Sequence, residues 1–112
     1  SHIDLNEINE KELLKAREAL NEAIDFYKRW YEHNEDDYER FAKAIAESYA
    51  NLGTALKYSG EQEKALEAFR KSLLRNPDNR TAERALEMLD INPTPYIEAG
   101  EDEKKKHKKL PI

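Results

Sequence analysis

The sequence has no cysteine, no valine and only three glycines among its 112 residues. Without cysteine there is no disulfide framework, no thiolate metal site and no thiol nucleophile. β-branched residues stop at seven Ile and three Thr, which argues against a sheet, because strands draw on Val, Ile and Thr. The glycines stand alone at 53, 60 and 100, too scattered for a phosphate-cradling loop. No apolar run approaches the roughly 18 residues of a membrane span. The N-terminus shows no leader pattern. His2, His33 and His107 lie far apart, with no i, i+4 pair to hold zinc and no G-x-S-x-G elbow nearby. These absences predict a protein that is not an enzyme and holds neither a cofactor nor a metal.

What is present points to helices. Ala, Glu, Lys, Leu and Arg make 61 of the 112 residues, the share found in long-helix proteins. The length suits one domain. Leu, Ile and Phe are only about a fifth of the chain, near the composition at which a charged chain stops folding. Six Tyr, three Phe and one Trp offset that, since each aromatic buries a large area. The predicted core is thin and would gain from a neighbour. The net charge is −5. The run 101–109 carries five lysines against Glu101, Asp102 and Glu103, so the rest of the chain is more acidic still. That balance disfavours nucleic acid, whose phosphates need a basic patch, and the lysine run reads as a solvated tail without a membrane role. Lack of cysteine slightly favours the cytoplasm without fixing a compartment.

Along the chain, residues 1–8 read as a lead-in, with Ser1 and His2 a possible cloning remnant. Asn9 and Glu12 have the spacing of a capping box, and Ile8 and Leu13 that of a hydrophobic staple. A first helix then runs to about His33, with Leu13, Ala16, Leu20, Ile24, Tyr27 and Tyr31 on one face. Trp30 and Tyr31 are expected in the core. Asp36 and Glu39 repeat the capping pattern, and a second helix carries Tyr38, Phe41, Ile45, Tyr49, Leu52 and Leu56 to Ser59-Gly60. A third spans about 61–75 and stops at Asn76-Pro77. Asp78 or Asn79 caps a fourth, with Ala82, Leu86 and Leu89 inward. Asn92-Pro93-Thr94-Pro95 breaks regular structure. The helical domain is thus 9–91, and 92–112 reads as a Pro-containing polar and basic tail, in which 101–110 has the charge order of a short helix.

One segment is more specific. Tyr49-x-x-Leu52-Gly53-x-x-Leu56, then Ala65-x-x-x-Phe69, then Pro77, resembles the tetratricopeptide repeat, a 34-residue helix–turn–helix. Residues 46–79 hold the motif at its offsets. Tyr49 stands where Trp is usual and Leu56 where Tyr is usual. The resemblance implies an all-α fold: about four helices, paired as antiparallel hairpins and stacked in a short right-handed array. Arg80–Asp90 would be its closing helix. Helices one and two do not fit a second consensus repeat.

The same resemblance implies a protein-interaction module, part of a larger protein, that binds a peptide or partner segment in a concave groove. The groove positions would be Glu47, Ala50, Asn51, Thr54, Lys57 and Tyr58 on the second helix. On the fourth they would be Arg80, Thr81, Arg84 and Met88. In co-chaperone members an Asn in the slot of Asn51 joins cations to clamp a partner's C-terminal carboxylate. Arg80 and Arg84 stand one residue off the clamp positions, which hold Thr81 and Ala85 here. The alternative is a packing or self-association domain with no peptide ligand, using the broad apolar face of the first helix.

Overall fold

The computed structural model describes residues 5–107, with side chains from Glu10 onward except at Glu35. It contains five helices and no strand among the described residues: α1 (Leu5–His33), α2 (Tyr38–Tyr58), α3 (Gln62–Arg75), α4 (Arg80–Met88) and α5 (Thr94–Lys106). The molecule is elongated, 70 × 34 × 16 Å. At about 1.5 Å per residue the 29-residue α1 is roughly 43 Å long, the longest of the described helices.

α1 and α2 pair through a single 3₁₀ turn, Glu35–Asp37. α2 and α3 form the tightest pair, and α3 also packs on α4 and α5. The core is continuous across them: Ile24 from α1, Phe41, Ile45 and Leu56 from α2, Phe69 and Leu73 from α3, Leu86 from α4. Two features explain the closeness of α2 and α3. A Cβ on Gly53 would stand 2.6 Å from Phe69 Cε1, so the absent side chain is the space the ring occupies. Ser72, fully buried, donates its hydroxyl to the Ala46 carbonyl at 2.7 Å, satisfying a group that burial would otherwise leave costly.

The helix ends follow from local chemistry. After α2, Gly60 has φ 81°, and the bonds Gly60 N to Lys57 O and Glu61 N to Leu56 O form a Schellman motif. The same pair of bonds closes α4, from Asp90 to Glu87 and from Ile91 to Leu86, but Asp90 takes the left-handed position with φ 58°. Asn79 caps α4 by accepting from Ala82 N at 2.9 Å. Asn76 accepts from Asp78 N at 3.1 Å, folding the chain over Pro77.

Three expectations need correction. α1 is already helical at Leu5, so the backbone at Asn9 lies inside the helix and not at its cap. The expected capping and staple contacts from Ile8 and Asn9 lie outside the described residues, as do Ser1, His2 and positions 108–110. α2 starts at Tyr38 with Asp37 in the cap position and no side-chain cap bond from it, because the 3₁₀ turn takes up the preceding residues. The stretch expected as a tail contains a fifth helix. Pro95 in its first turn costs no helical bond, and Lys104–Lys106 end it with charge that suits the dipole. It docks where Gly100 crosses α3: a Cβ there would collide with the Leu73 carbonyl oxygen and stand 3.2 Å from Pro77 Cβ.

Candidate partner-binding face

α2 is long enough to expose one strip while burying the other. Tyr49, Leu52, Gly53 and Leu56 face inward. Glu47, Asn51, Lys57 and Tyr58 face solvent, Tyr58 at 73% exposure. Thr54 is half-buried and turns its hydroxyl back to the Ala50 carbonyl at 3.1 Å, so its proton is already engaged. Ala50 is 2% exposed and belongs to the core, not to the strip. On α4, Ala82 and Leu86 hold the helix down, and the cap at Asn79 fixes where its first turn begins. Arg80, Thr81 and Arg84 then point outward with Met88, which is 74% exposed. α2 and α4 touch.

The electrostatics of this face differ from those of the chain. Of the seven residues Glu47, Asn51, Thr54, Lys57, Tyr58, Arg80 and Arg84, one is acidic and three are basic. Some cations are paired with neighbours: Arg17 with Glu61 at 2.6 Å, Lys64 with Glu61 at 3.3 Å, Lys43 with Glu39 at 3.2 Å. No such ion pair engages Lys57, Arg80 or Arg84 among the described residues. Glu61 ties α1 to the α2–α3 turn. The hydrogen bond from Lys64 and the charge of Arg17 hold its carboxyl below the ordinary value, against partial burial.

The signature residues are structural. Tyr49, Leu52, Gly53, Leu56, Ala65, Phe69 and Pro77 are all buried. Trp30 and Tyr31, both expected in the core, sit at its edge. Both are half-buried and pack against the core: Tyr31 stacks on Phe41 with centroids 4.3 Å apart, while Trp30 also lines an open cleft of about 310 Å³ with Phe26, Tyr27, Arg40 and Ala44. Arg40 and Ala44 lie at helical spacing from Glu47, so this cleft borders the α2 strip. Sequence reasoning missed it, although Phe26 and Trp30, four apart, are the signal.

A second feature escaped sequence reasoning. A cleft of about 650 Å³ runs between α1, α3 and α5, with Lys28, Lys71, Arg75, Asp102 and Glu103 among its walls. In a neighbouring cleft that shares Arg75, His107 stacks on Tyr38, centroids 3.8 Å apart and nearly parallel. His107 Nε2 faces Glu103 Oε1 at 3.4 Å and its Nδ1 faces the Tyr31 hydroxyl at 3.5 Å. A proton on Nε2 satisfies both, as donor to the carboxylate and acceptor from the phenol. This contact with His107 and the charge of Lys106 hold the Glu103 carboxyl below its ordinary value, against partial burial. Burial pushes the Tyr38 phenol up, with the Arg75 charge opposing. No helix among the described residues is long and apolar enough to cross a membrane, and they contain no group of three or more side chains suited to a metal.

Comparison with known proteins gives one match. Residues 46–79 fit the family model of the tetratricopeptide repeat, the same 34 residues that carry the sequence motif. No curated protein and no solved structure matches the chain.

Proposed function

With a tetratricopeptide repeat at residues 46–79 as the premise, we propose that this chain is a protein-interaction module that takes an extended peptide along the exposed strips of α2 and α4. The repeat family is one of interaction scaffolds, and an interaction role fits better than catalysis. The observation that carries the reading is the division of labour on α2. Every signature position faces the core, while Glu47, Asn51, Lys57 and Tyr58 project into solvent, as do Arg80 and Arg84 on α4. A face this rich in free polar groups does no packing for its own domain.

The chemistry of the strip selects the ligand. Arg80 and Arg84, one turn apart, offer two guanidinium forks that match carboxylates in bidentate fashion. The Asn51 amide donates to the same kind of group, and Tyr58 and Met88 supply apolar surface at the strip's end. The best fit is an acidic segment, or one ending in a free carboxylate, with an apolar side chain alongside. The test is titration of the protein into fluorescein-labelled acidic peptides with free and with amidated C-termini, followed by anisotropy. Arg80→Glu with Arg84→Glu should weaken binding by roughly tenfold or more, since each hydrogen bond to a charged group is worth about 1.5–3 kcal/mol. Unchanged affinity in that double variant would overturn the assignment.

A further inference from the structure

The outer side of α1 carries a second apolar ridge. Ala19, Ala23, Phe26 and Trp30 each immediately precede an inward residue, Leu20, Ile24, Tyr27 and Tyr31. At about 100° per residue, the ridge therefore lies a little over a quarter turn from the buried face. Phe26 is 58% exposed on it and Trp30 half-buried. Among the described residues no other helix packs on α1 as α2 does. The ridge continues across the cleft between Trp30 and Ala44 onto α2.

We propose that this ridge is a self-association surface and that its occupant is the α1 helix of a second copy, running antiparallel. The order of side chains argues for it. The N-terminal half of the ridge is small, with Ala19 and Ala23 and then Lys15 and Glu12, and the C-terminal half is large and aromatic, with Phe26 and Trp30. A two-fold axis near residues 22 and 23 sets Ala19 against Phe26 of the second copy and Lys15 against Trp30 of the second copy. Both pairings occur twice, as an isologous interface requires. Small then faces large, which lets the helices close, and an ammonium lies over an indole, where the ring quadrupole attracts it. A parallel arrangement sets Lys15 on Lys15, a like-charge contact, and puts the bulky Phe26 rings against each other with no small residue for either to close on. The thin core of the chain also gains from such a neighbour.

Sedimentation velocity over a concentration series reaching the millimolar range tests the proposal. The unmodified chain should show a reversible monomer–dimer equilibrium. Phe26→Glu should weaken it by at least about tenfold, as loss of a central aromatic anchor does. Leu14→Glu, at another exposed apolar residue of α1 that lies about 120° away around the helix, should leave it unchanged. Orientation is read separately, because the chain has no cysteine. Under oxidation, Ala19→Cys mixed with Phe26→Cys should give a reducible dimer, and neither variant alone should. A monomer at every concentration, equal effects of the two Glu variants, or cross-linking of each Cys variant with itself in preference to the mixture overturns the proposal. Far-UV circular dichroism confirms that each variant is folded. Arg84→Glu should not alter self-association, so failure here is distinguishable from failure of the peptide reading.

Discussion

Gly53→Ala sets two effects of known size against each other. In a free helix, alanine is better than glycine by about 1 kcal/mol, so propensity alone predicts a more stable protein. The structure predicts the opposite. The added Cβ would stand 2.6, 2.8 and 2.9 Å from Cε1, Cδ1 and Cζ of the Phe69 ring. Phe69 is 1% exposed, with Ala46, Ala65 and Leu73 also buried in the same helix pair, so the ring has no open space to enter. Forcing a methyl into a filled core costs about 1–3 kcal/mol, and contact with three ring carbons at once places this case near the top of that range. The net expectation is a loss of about 2 kcal/mol after the propensity gain, or a fall of roughly 8–16 °C in Tm for a domain of this size. Urea denaturation followed by circular dichroism measures it. The double-mutant cycle with Phe69→Leu isolates the contact: with the smaller side chain in place, Gly53→Ala should be neutral or stabilising, a coupling of about 2 kcal/mol. A Gly53→Ala protein as stable as the parent, or a cycle that adds without coupling, would refute the close-crossing account of the repeat.

Gly100→Ala drives a Cβ into the Leu73 carbonyl oxygen, a backbone atom that cannot move cheaply. It should lower hydrogen-exchange protection across Thr94–Lys106 while α2 and α3 keep theirs, and unchanged protection would contradict the docking of α5. Tyr38→Phe removes a hydroxyl that is buried without a hydrogen-bond partner and keeps the ring against Phe41 and His107, so urea unfolding should show equal or greater stability; a loss above about 1 kcal/mol would reveal a hydroxyl contact that matters. The folded state holds the Glu103 carboxyl below its ordinary value of 4.5, which means the charged form is favoured on folding. Its contribution is therefore complete above pH 4.5 and disappears as the pH falls through the lowered value. Thermal melts of Glu103→Gln and parent should converge in acid and differ at neutral pH, and a constant difference at all pH values would be inconsistent with that linkage.

The repeat was legible in sequence because its signature is a record of close contacts. Gly53 and Ala65 are small where α2 meets α3, Phe69 fills the gap left by Gly53, and Pro77 stops the chain at a fixed distance. Each slot tolerates few residue types, so spacing alone identifies it. The exposed strip was legible for the same reason in reverse, as the positions left over once the inward face is assigned. Ala50 was misplaced because alanine suits either side of a helix, and only packing decides.

α5 was legible only in part. The acids followed by lysines over 101–110 have the charge order of a short helix, but Pro93 and Pro95 read as a break ahead of it, and local charge order says nothing about docking. What holds α5 is a long-range fit: Gly100 against the Leu73 backbone, His107 on Tyr38, and the Arg70 guanidinium 5.3 Å from the centre of the Tyr96 ring. A lone glycine in a polar stretch carries no visible sign of such a partner. Trp30 packs at the edge of the core as its helical position suggests, and what periodicity merges is the more exposed Phe26 with the inward stripe beside it.

The central claim is that α2 and α4 present one peptide-binding face. Amide chemical-shift mapping with the tightest of the acidic peptides tests it most directly. The account predicts shifts concentrated at Glu47, Asn51, Lys57 and Tyr58 and at Arg80, Arg84 and Met88, saturating together with one affinity. Shifts confined to α1 or to α5, with the α2 and α4 strips unmoved, would contradict it.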